Sequence, residues 1–289
     1  MMTVCEGDTV FIDGAAFRMK ELLYQGFDSR IFSASSLECG GADPAFAVKC
    51  CLCRRGSDGW DKAMREIEAG NILRKCPHIT RLHGYSVLSD SEGICHNVFL
   101  LFGYMRCLDE MTVDTQVALE MCRDISLALG ELSGKGLMHG DVKPSNIFFD
   151  GEKWQLGDLG SVCLSGQSPV YCTEGYASPE AMREEACDIR SDIYSLGISL
   201  YRILSGGRLP FCPVPCEEMN ESDVYETIER RLNGEEIPPI KDVSEGLNEM
   251  ILRMCRFRRR DRFRNPSQTA RTAAKLLKKT DPTDNASNF

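Results

Sequence analysis

The feature that most constrains this chain is a region where two aspartates, a lysine and an asparagine lie close together in sequence. It reads His139-Gly140-Asp141-Val142-Lys143-Pro144-Ser145-Asn146, and Gly157-Asp158-Leu159-Gly160 follows soon after. Phosphoryl transfer requires such a set, because the protein has mainly to position groups and to neutralise charge on phosphate oxygens. One carboxylate would face an attacking hydroxyl, while another carboxylate and an amide oxygen would suit Mg²⁺, which prefers oxygen ligands.

The composition excludes several other classes of protein. With 289 residues, 43% of them hydrophobic and 27% charged, the chain is long enough for one large domain or two lobes. A net charge of −9 disfavours nucleic acid or an anionic membrane as a charge-driven partner. The arginines at positions 256 and 258–260 are therefore interpreted as a solvated face rather than an RNA contact. The chain has no signal peptide and no apolar run of membrane-spanning length, so we expect a cytoplasmic protein without a membrane span.

The fifteen cysteines indicate a reducing compartment rather than a disulfide framework. Their number is odd and their spacing irregular. Cys50-x-x-Cys53 and Cys212-x-x-x-Cys216 invite a zinc interpretation. However, residues three apart on a strand point to opposite faces, so we favour cysteines that pack as small buried hydrophobic side chains.

Hydrophobic periodicity predicts a β-rich part followed by a helical part, which is an α+β fold. The predicted strands are 17–24, 30–35, 45–51 and 98–102. The predicted helices are 60–73, 115–132, 191–204, 223–232, 246–255 and 267–277. The corresponding divisions are an N-terminal extension at 1–16, a β-rich lobe at 17–104, a helical lobe at 105–278 and a flexible tail at 279–289.

The aspartate-rich region resembles the catalytic loop H-x-D-x-K-P-x-N and the D-F-G motif of protein kinases, the latter written here Asp158-Leu159-Gly160. Ala47-Val48-Lys49 is similar to the strand whose lysine grips the phosphates of ATP. Nineteen residues further along, Glu68 is the expected partner of that lysine, with Glu66 as the fallback. The family's two-lobed fold, with a β-rich N-lobe and a mainly helical C-lobe, is thereby implied.

Three further segments match the family in the expected order. Residues 173–180 resemble the end of an activation segment, and residues 191–197 resemble the buried helix whose aspartate holds the catalytic loop. Arg262 matches the arginine that pairs with Glu180. The resemblance runs from about residue 17 to about residue 278 and is strongest to bacterial Ser/Thr kinases.

The resemblance implies ATP and Mg²⁺ as cofactors and assigns roles to individual residues. Asp141, Lys143, Lys49 and Glu68 would be catalytic, and Asn146 and Asp158 would bind Mg²⁺. The residues that would contact the nucleotide are Gly26, Ile31, Ala47, Lys49, Phe102, Gly103, Tyr104, Met105 and Phe148. The acceptor would be a Ser or Thr hydroxyl of a protein, with autophosphorylation as one outcome.

Two departures from the family pattern keep other functions open. The phosphate-covering loop retains only its middle glycine, Gly26, with Tyr24 and Ser29 at the outer positions, and this leaves a pseudokinase scaffold as an alternative. Gly140 replaces the arginine that usually grips an activation-segment phosphate, so we expect little dependence on activation-segment phosphorylation. The same glycine is found in small-molecule phosphotransferases of this fold, which remain a second alternative.

Overall fold

A computed structural model of the chain describes residues 4–27, 29–38 and 45–280 and divides into two compact units. The first unit runs to Arg106 and also includes Asp158–Gly160, while the second comprises Cys107–Gly157 and the residues from Ser161 onward. The boundary predicted from the sequence falls after residue 104, and no motif predicts that Asp158–Gly160 belongs with the first unit.

The first unit is built on a six-stranded antiparallel sheet with one helix, α1 (Asp58–Leu73). The strands are β1 (Thr9–Ile12), β2 (Ala15–Gln25), β3 (Ser29–Ser36), β4 (Phe46–Arg54), β5 (Leu82–Ser89) and β6 (Cys95–Gly103), in the order β1-β2-β3-β4-β6-β5. Because side chains alternate along a strand, the sheet forms two cores. One contains Phe17, Phe32 and Phe99, and the other packs Val98 and Leu100 near α1.

The predicted N-terminal extension is partly a strand of this sheet. β1 pairs with β2 in a register that sets Ile12 opposite Ala15. The connecting turn is Asp13-Gly14, with φ angles of 49° and 86°. Positive φ at both central residues is the geometry of a tight hairpin turn, which Asp-Gly favours. The sheet therefore begins at Thr9 and not at residue 17.

The second unit is mainly helical. Its helices are α2 (Thr115–Gly134), α3 (Pro179–Met182), α4 (Ile189–Leu204), α5 (Glu221–Leu232), α6 (Glu245–Met254) and α7 (Pro266–Thr280). The unit also contains four short strands, β8 (Leu137–Met138), β9 (Ile147–Phe149), β10 (Trp154–Leu156) and β11 (Cys163–Leu164). The boundary between the units falls within the strand β7 (Arg106–Cys107). α4 is buried nearly all round and packs on α2 and α6. A helix with this apolar surface belongs in the centre of its unit.

The remaining expectations concern thiols, metals and the chain end. Cys50 packs in one core of the sheet and Cys53 in the other, so the two thiols lie on opposite faces. No cysteine in the described ranges forms a disulfide, and the described His, Cys, Asp and Glu residues form no group of three that could hold a metal ion. None of the helices in the described ranges is long and apolar enough to cross a membrane. α7 extends to Thr280, and the rest of the predicted tail lies outside the described residues.

Candidate active site

In the first unit, one lysine is held by two carboxylates. Lys49 lies on β4, and its Nζ donates to Glu66 Oε2 at 2.7 Å and to Asp158 Oδ1 at 2.8 Å. Glu66 is 3% exposed, whereas the Asp158 side chain is 44% exposed. The lysine is therefore fixed on its buried side by Glu66 and on its more exposed side by Asp158.

The prediction that Glu68 pairs with Lys49 is wrong, and the fallback residue Glu66 occupies that role. The buried positions of α1 are spaced three or four residues apart and are Ala63, Glu66, Ile67, Gly70 and Leu73, with Ala69 beside them. Residues two apart on a helix lie about 200° apart around its axis. Glu68 consequently lies on the exposed side of α1.

The charges of this trio depend on burial and on mutual attraction. Burial lowers the pKa of Lys49, but the negative charges of Asp158 and Glu66 outweigh it, so the pKa lies well above its ordinary value. Burial raises the pKa of Glu66 to about 7, against the opposing effect of Lys49. The ammonium of Lys49 is thus a permanent positive charge near neutral pH.

In the second unit, the loop after β8 gathers the other predicted catalytic side chains. Lys143 Nζ lies 2.8 Å from Asp141 Oδ2 and donates to Thr173 Oγ1, also at 2.8 Å. The Thr173 backbone N–H donates to Asp141 Oδ1 at 2.9 Å, and Asn146 Nδ2 donates to the Asp141 backbone carbonyl at 2.9 Å. The structure therefore brings Asp141, Lys143 and Asn146 together and adds Thr173 to them.

The backbone of this loop is held from beneath by Asp192, near the start of α4. The N–H groups of His139 and Gly140 donate to the two oxygens of its carboxylate at 2.7 and 2.9 Å. Burial raises the pKa of Asp192, while His139 and the two N–H groups oppose that shift. The His139 ring nitrogen Nε2 is also within 2.9 Å of the Gly157 carbonyl. These contacts orient the peptide that carries Asp141.

Gly140 has a conformation and surroundings that only glycine tolerates. Its φ is +83°, and a Cβ added there would lie 2.8 Å from the Ser161 carbonyl oxygen and 3.3 Å from Pro169 Cβ. A contact below 3.0 Å with a backbone atom cannot be relieved by rotating a side chain. The chain between Asp158 and Glu180 thus passes over the position that an arginine would need.

Backbone hydrogen bonds and one ion pair fix this activation segment at several points. β11 pairs with β8, and the Gly166 N–H donates to the Cys187 carbonyl at 2.7 Å. The Cys187 N–H returns a bond to the Gln167 carbonyl at 2.9 Å. Towards the end of the segment, Glu180 pairs with the buried Arg262 at 2.6 Å and accepts a bond from the Ser191 hydroxyl. Sequence reasoning did not single out Ser191, which carries no signal apart from its place beside Asp192.

The side chains predicted to bind Mg²⁺ have suitable chemistry. Asn146 directs its amide nitrogen to Asp141, which leaves its oxygen as the atom for a cation. Asp158 offers an accessible carboxylate, although one of its oxygens accepts from Lys49. A carboxylate and an amide oxygen are hard ligands of the kind that Mg²⁺ takes alongside phosphate oxygens.

Most of the residues predicted to contact the nucleotide belong to the first unit, and Phe148 belongs to the second. In the first unit, Ala47 on β4 lies opposite Phe102 on β6, and Phe102 packs against the core beside α1. Ile31, Gly103 and Met105 are half-buried, and Tyr104 is exposed. In the second unit, Phe148 is half-buried on β9.

The phosphate-covering loop closes tightly despite its missing glycines. The Gly26 N–H donates to the Ser29 carbonyl at 2.8 Å, which forms the turn between β2 and β3. A Cβ on Gly26 would lie 2.8 Å from the Tyr24 ring, so this tyrosine folds back over the one glycine that remains. Asp28 lies outside the described residues.

A lysine clasped by two carboxylates, together with an aspartate, lysine and asparagine on one backbone-anchored loop, defines the class of protein kinase domains. Comparison with known families gives the same answer. The family model described as "Protein kinase domain" matches residues 25–275, and the chain belongs to that family. The predicted family and fold class are thereby confirmed.

The individual relatives are distant and include bacterial proteins. Serine/threonine-protein kinase 16 of Mus musculus is 27% identical over 234 residues, which are 71% of this chain and 74% of that protein. Serine/threonine-protein kinase PknB of Mycolicibacterium smegmatis is 31% identical over 172 residues, 55% of this chain and 25% of that protein. Serine/threonine-protein kinase pkn2 of Myxococcus xanthus is 37% identical over 107 residues, 32% of this chain and 13% of that protein. The chain therefore matches only a minor part of the two bacterial proteins.

Proposed function

We propose that the chain is an ATP- and Mg²⁺-dependent kinase that transfers the γ-phosphoryl group to Ser or Thr hydroxyls of proteins. The observation that carries this proposal is the cluster of Asp141, Lys143, Asn146 and Thr173, with the loop backbone anchored on Asp192. The three relatives described above are all serine/threonine-protein kinases and support the same assignment.

In this mechanism Asp141 orients the acceptor and takes its proton. The hydroxyl oxygen forms a bond to the γ-phosphorus, the bond from that phosphorus to the bridging oxygen of ADP breaks, and the hydroxyl proton passes to the Asp141 carboxylate. Lys143, 2.8 Å from Asp141, supplies a positive charge for the moving phosphoryl group. Bound Mg²⁺ would neutralise phosphate charge and would be held by Asn146 and Asp158.

The nucleotide would be held by residues whose roles follow from their chemistry. Lys49, kept cationic by its carboxylates, would grip the α- and β-phosphates. Ile31, Ala47 and Phe148 would supply the apolar contacts for adenine, and Phe102 would limit the depth of its pocket. The loop around Gly26 would cover the phosphates, and the backbone of residues 103–105 would provide polar contacts to the base.

We further propose that activity depends little on phosphorylation of the activation segment. Gly140 offers no cation to a phosphate, and the segment already carries the β11–β8 pairing and the Thr173 contacts. A phosphate normally orders such a segment through new arginine contacts. In this chain, the β11–β8 pairing and the Thr173 contacts would order the segment without a phosphate.

The contact between Lys143 and Thr173 also favours a protein acceptor over a small molecule. It ties the catalytic loop to residues 173–180, the segment on which a peptide substrate lies in protein kinases. A pseudokinase scaffold has support only from Tyr24 and Ser29 in the phosphate-covering loop. Against it, Lys49 has both of its partners.

The decisive experiment measures transfer of labelled γ-phosphate from ATP with Mg²⁺ to the protein itself and to a generic basic protein. Wild type is compared with Asp141→Asn and with Glu152→Gln, an exposed acid-to-amide change in the same unit. We expect label on Ser or Thr, reduced about 10²- to 10⁴-fold in Asp141→Asn and unchanged in Glu152→Gln. Equal labelling in wild type and Asp141→Asn, or label on no protein despite ATP binding, would contradict the proposal.

A further inference from the structure

Four arginines line one open depression on the second unit, and no residue of the catalytic cluster is among its lining residues. The depression has a volume of about 630 Å³, and its lining residues are Arg190, Arg258, Arg259 and Arg260. Arg190 lies in the first turn of α4, and the other three lie between α6 and α7. We call this feature the arginine pocket. In a chain with a net charge of −9, this local cluster of four cationic side chains favours the binding of an anion.

Two of the arginines are fixed in place by an acid of the protein. Arg190 forms a bidentate pair with Asp188, with contacts of 2.9 Å from Nε and 2.6 Å from Nη2. Arg259 Nη1 lies 3.6 Å from the same carboxylate and donates to the Ala186 carbonyl at 2.8 Å. A guanidinium has five N–H donors, so both side chains are oriented and still have donors to offer.

The other two arginines are largely unengaged. Arg258 is exposed and forms no ion pair with any residue in the described ranges, and Arg260 Nε lies 3.8 Å from Asp261 Oδ1. Four guanidinium charges against the carboxylates of Asp188 and Asp261 leave a formal charge of about +2. A phosphate monoester carries about −1.5 to −2 near neutral pH, so one such group would neutralise the arginine pocket.

The two chain segments that carry the arginines of the pocket are connected by the buried Arg262. Arg262 donates to the carbonyls of Arg190 at 3.0 Å, Arg256 at 2.7 Å and Phe257 at 3.0 Å. It also forms the buried ion pair with Glu180. The backbone of both segments is thus fixed before a ligand arrives, which lowers the cost of binding.

We propose that the arginine pocket binds a phosphoserine or phosphothreonine carried by a segment of a partner protein. Clustered guanidinium groups match phosphate oxygens through paired, charge-assisted hydrogen bonds. The depression is open and exceeds a phosphate group in size, so a peptide chain can enter and leave it. Nucleic acid is the less suitable ligand, because it needs a basic stripe along its backbone rather than one compact set on an acidic protein.

The test uses the full chain without ATP or Mg²⁺, so that its outcome is independent of phosphoryl transfer. Fluorescence anisotropy measures binding of a short labelled peptide with one phosphoserine, of its unphosphorylated twin and of a single-stranded RNA. Inorganic phosphate serves as the competitor. The test variant is Arg258→Ala/Arg260→Ala, and Arg54→Ala/Arg55→Ala on the first unit is the matched control, since both pairs are exposed and remove the same charge.

We expect the phosphopeptide to bind at least about tenfold more tightly than its twin, since each charge-assisted hydrogen bond contributes enough for about that factor. Arg258→Ala/Arg260→Ala should lose at least about tenfold in affinity, and the control should stay within about twofold. The proposal is overturned if the two peptides bind equally or if the control loses as much as the test variant. Tighter RNA binding with the same sensitivity would reassign the arginine pocket to nucleic acid. Competition by inorganic phosphate without a preference for the phosphopeptide would reduce it to a free-phosphate site.

Discussion

Glu66 combines two properties that rarely occur in one residue, near-complete burial and an ionisable carboxyl group, and burial raises the pKa of that group to about 7. Its carboxylate is accommodated because Lys49 lies 2.7 Å away and itself remains protonated. If Glu66 loses its carboxylate, Lys49 keeps only the more exposed Asp158 as a carboxylate partner, and its buried side is left without an anion. The position of Lys49 should therefore depend on Glu66 far more than on Glu68, which lies on the exposed side of the same helix.

This dependence gives a prediction that separates Glu66 from Glu68. Glu66→Gln should lower kcat/KM for phosphoryl transfer by about tenfold or more, because a charged hydrogen bond of about 1.5–3 kcal/mol is weakened. Glu68→Gln, an identical change two residues away on the exposed side of α1, should leave kcat/KM within about twofold. Steady-state kinetics with varied ATP measures both. A larger loss in Glu68→Gln than in Glu66→Gln would refute the pairing seen here.

At the same scale, the residue types of the catalytic loop could be predicted from the sequence, but the partner of Lys49 could not be taken from distance along the chain alone. Counting from Lys49 reached the correct helix and the wrong face. The periodic run Ala63, Glu66, Ile67, Gly70 was available as a signal, because it forms one stripe at helical spacing. Tyr24 folding over Gly26 has no comparable signal, since it depends on the local turn.

At the scale of elements, the clear periodic segments were predictable and two strands of the sheet were missed. β1 is short but has a recognisable hairpin signal in Asp13-Gly14, which sequence analysis did not use. β5 is an edge strand whose residues are mostly exposed, and Gly84 interrupts its pattern. Its pairing with β6 therefore depends on the rest of the sheet rather than on local alternation.

The serines of the activation segment test whether phosphoryl transfer depends on phosphorylation of that segment. Replacing Ser161, Ser165 and Ser168 together by alanine should keep phosphoryl transfer within about threefold of wild type, because the segment is ordered by contacts other than phosphate. Thr173→Ala should lose at least about tenfold, since its hydroxyl accepts from Lys143. Initial rates with protein pretreated with phosphatase supply the comparison. If the triple variant were nearly inactive, phosphorylation would be required after all.

Gly140 gives a second prediction about the same element. Gly140→Ala should lower the free energy of unfolding by about 1–3 kcal/mol, because a positive φ and a contact with the Ser161 carbonyl are both unfavourable for alanine. Gly134→Ala is the matched control, since that glycine ends α2 and an added Cβ meets nothing within 4 Å. Denaturant unfolding followed by circular dichroism reports both. Equal stability of the two variants would contradict the steric argument.

At the scale of the whole molecule, each unit has its own core, and the second depends on a buried ion pair that joins distant parts of its chain. Burial would raise the pKa of Glu180, but Arg262 and Ser191 lower it below its ordinary value of 4.5. A carboxylate with a lowered pKa stabilises the fold above its unfolded pKa. That contribution is lost as the pH falls through the lower folded value.

We therefore predict that the wild-type protein loses stability as the pH falls below about 4.5, and that Arg262→Met removes this Glu180-dependent part of the loss. At neutral pH, Arg262→Met should cost about 3–5 kcal/mol, because Glu180 stays buried without its cation. The double variant Glu180→Leu/Arg262→Met should recover part of that cost. Thermal unfolding across pH measures all three proteins, and a double variant less stable than Arg262→Met alone would argue against an unpaired carboxylate as the cause.

Features that are local in the sequence could be predicted, whereas features that depend on contacts between distant residues could not. The ordered motifs from Lys49 to Arg262 identified the family and the fold class, because each is local in sequence. The assignment of Asp158–Gly160 to the first unit could not be predicted, since it depends on contacts between residues more than a hundred positions apart. Three arginines of the arginine pocket were visible in the sequence as a basic run. Arg190 could not be added to them, because it lies far away in the sequence.

The crowding around Gly140 also limits how this protein can evolve. A single base change converts a glycine codon into an arginine codon, so the usual phosphate-gripping arginine is one genetic step away. The Ser161 carbonyl and Pro169 occupy the space that the new side chain would enter, so that step would be selected against before a phosphate could reward it. An arginine at this position would therefore fit only if the activation segment took another path past the catalytic loop.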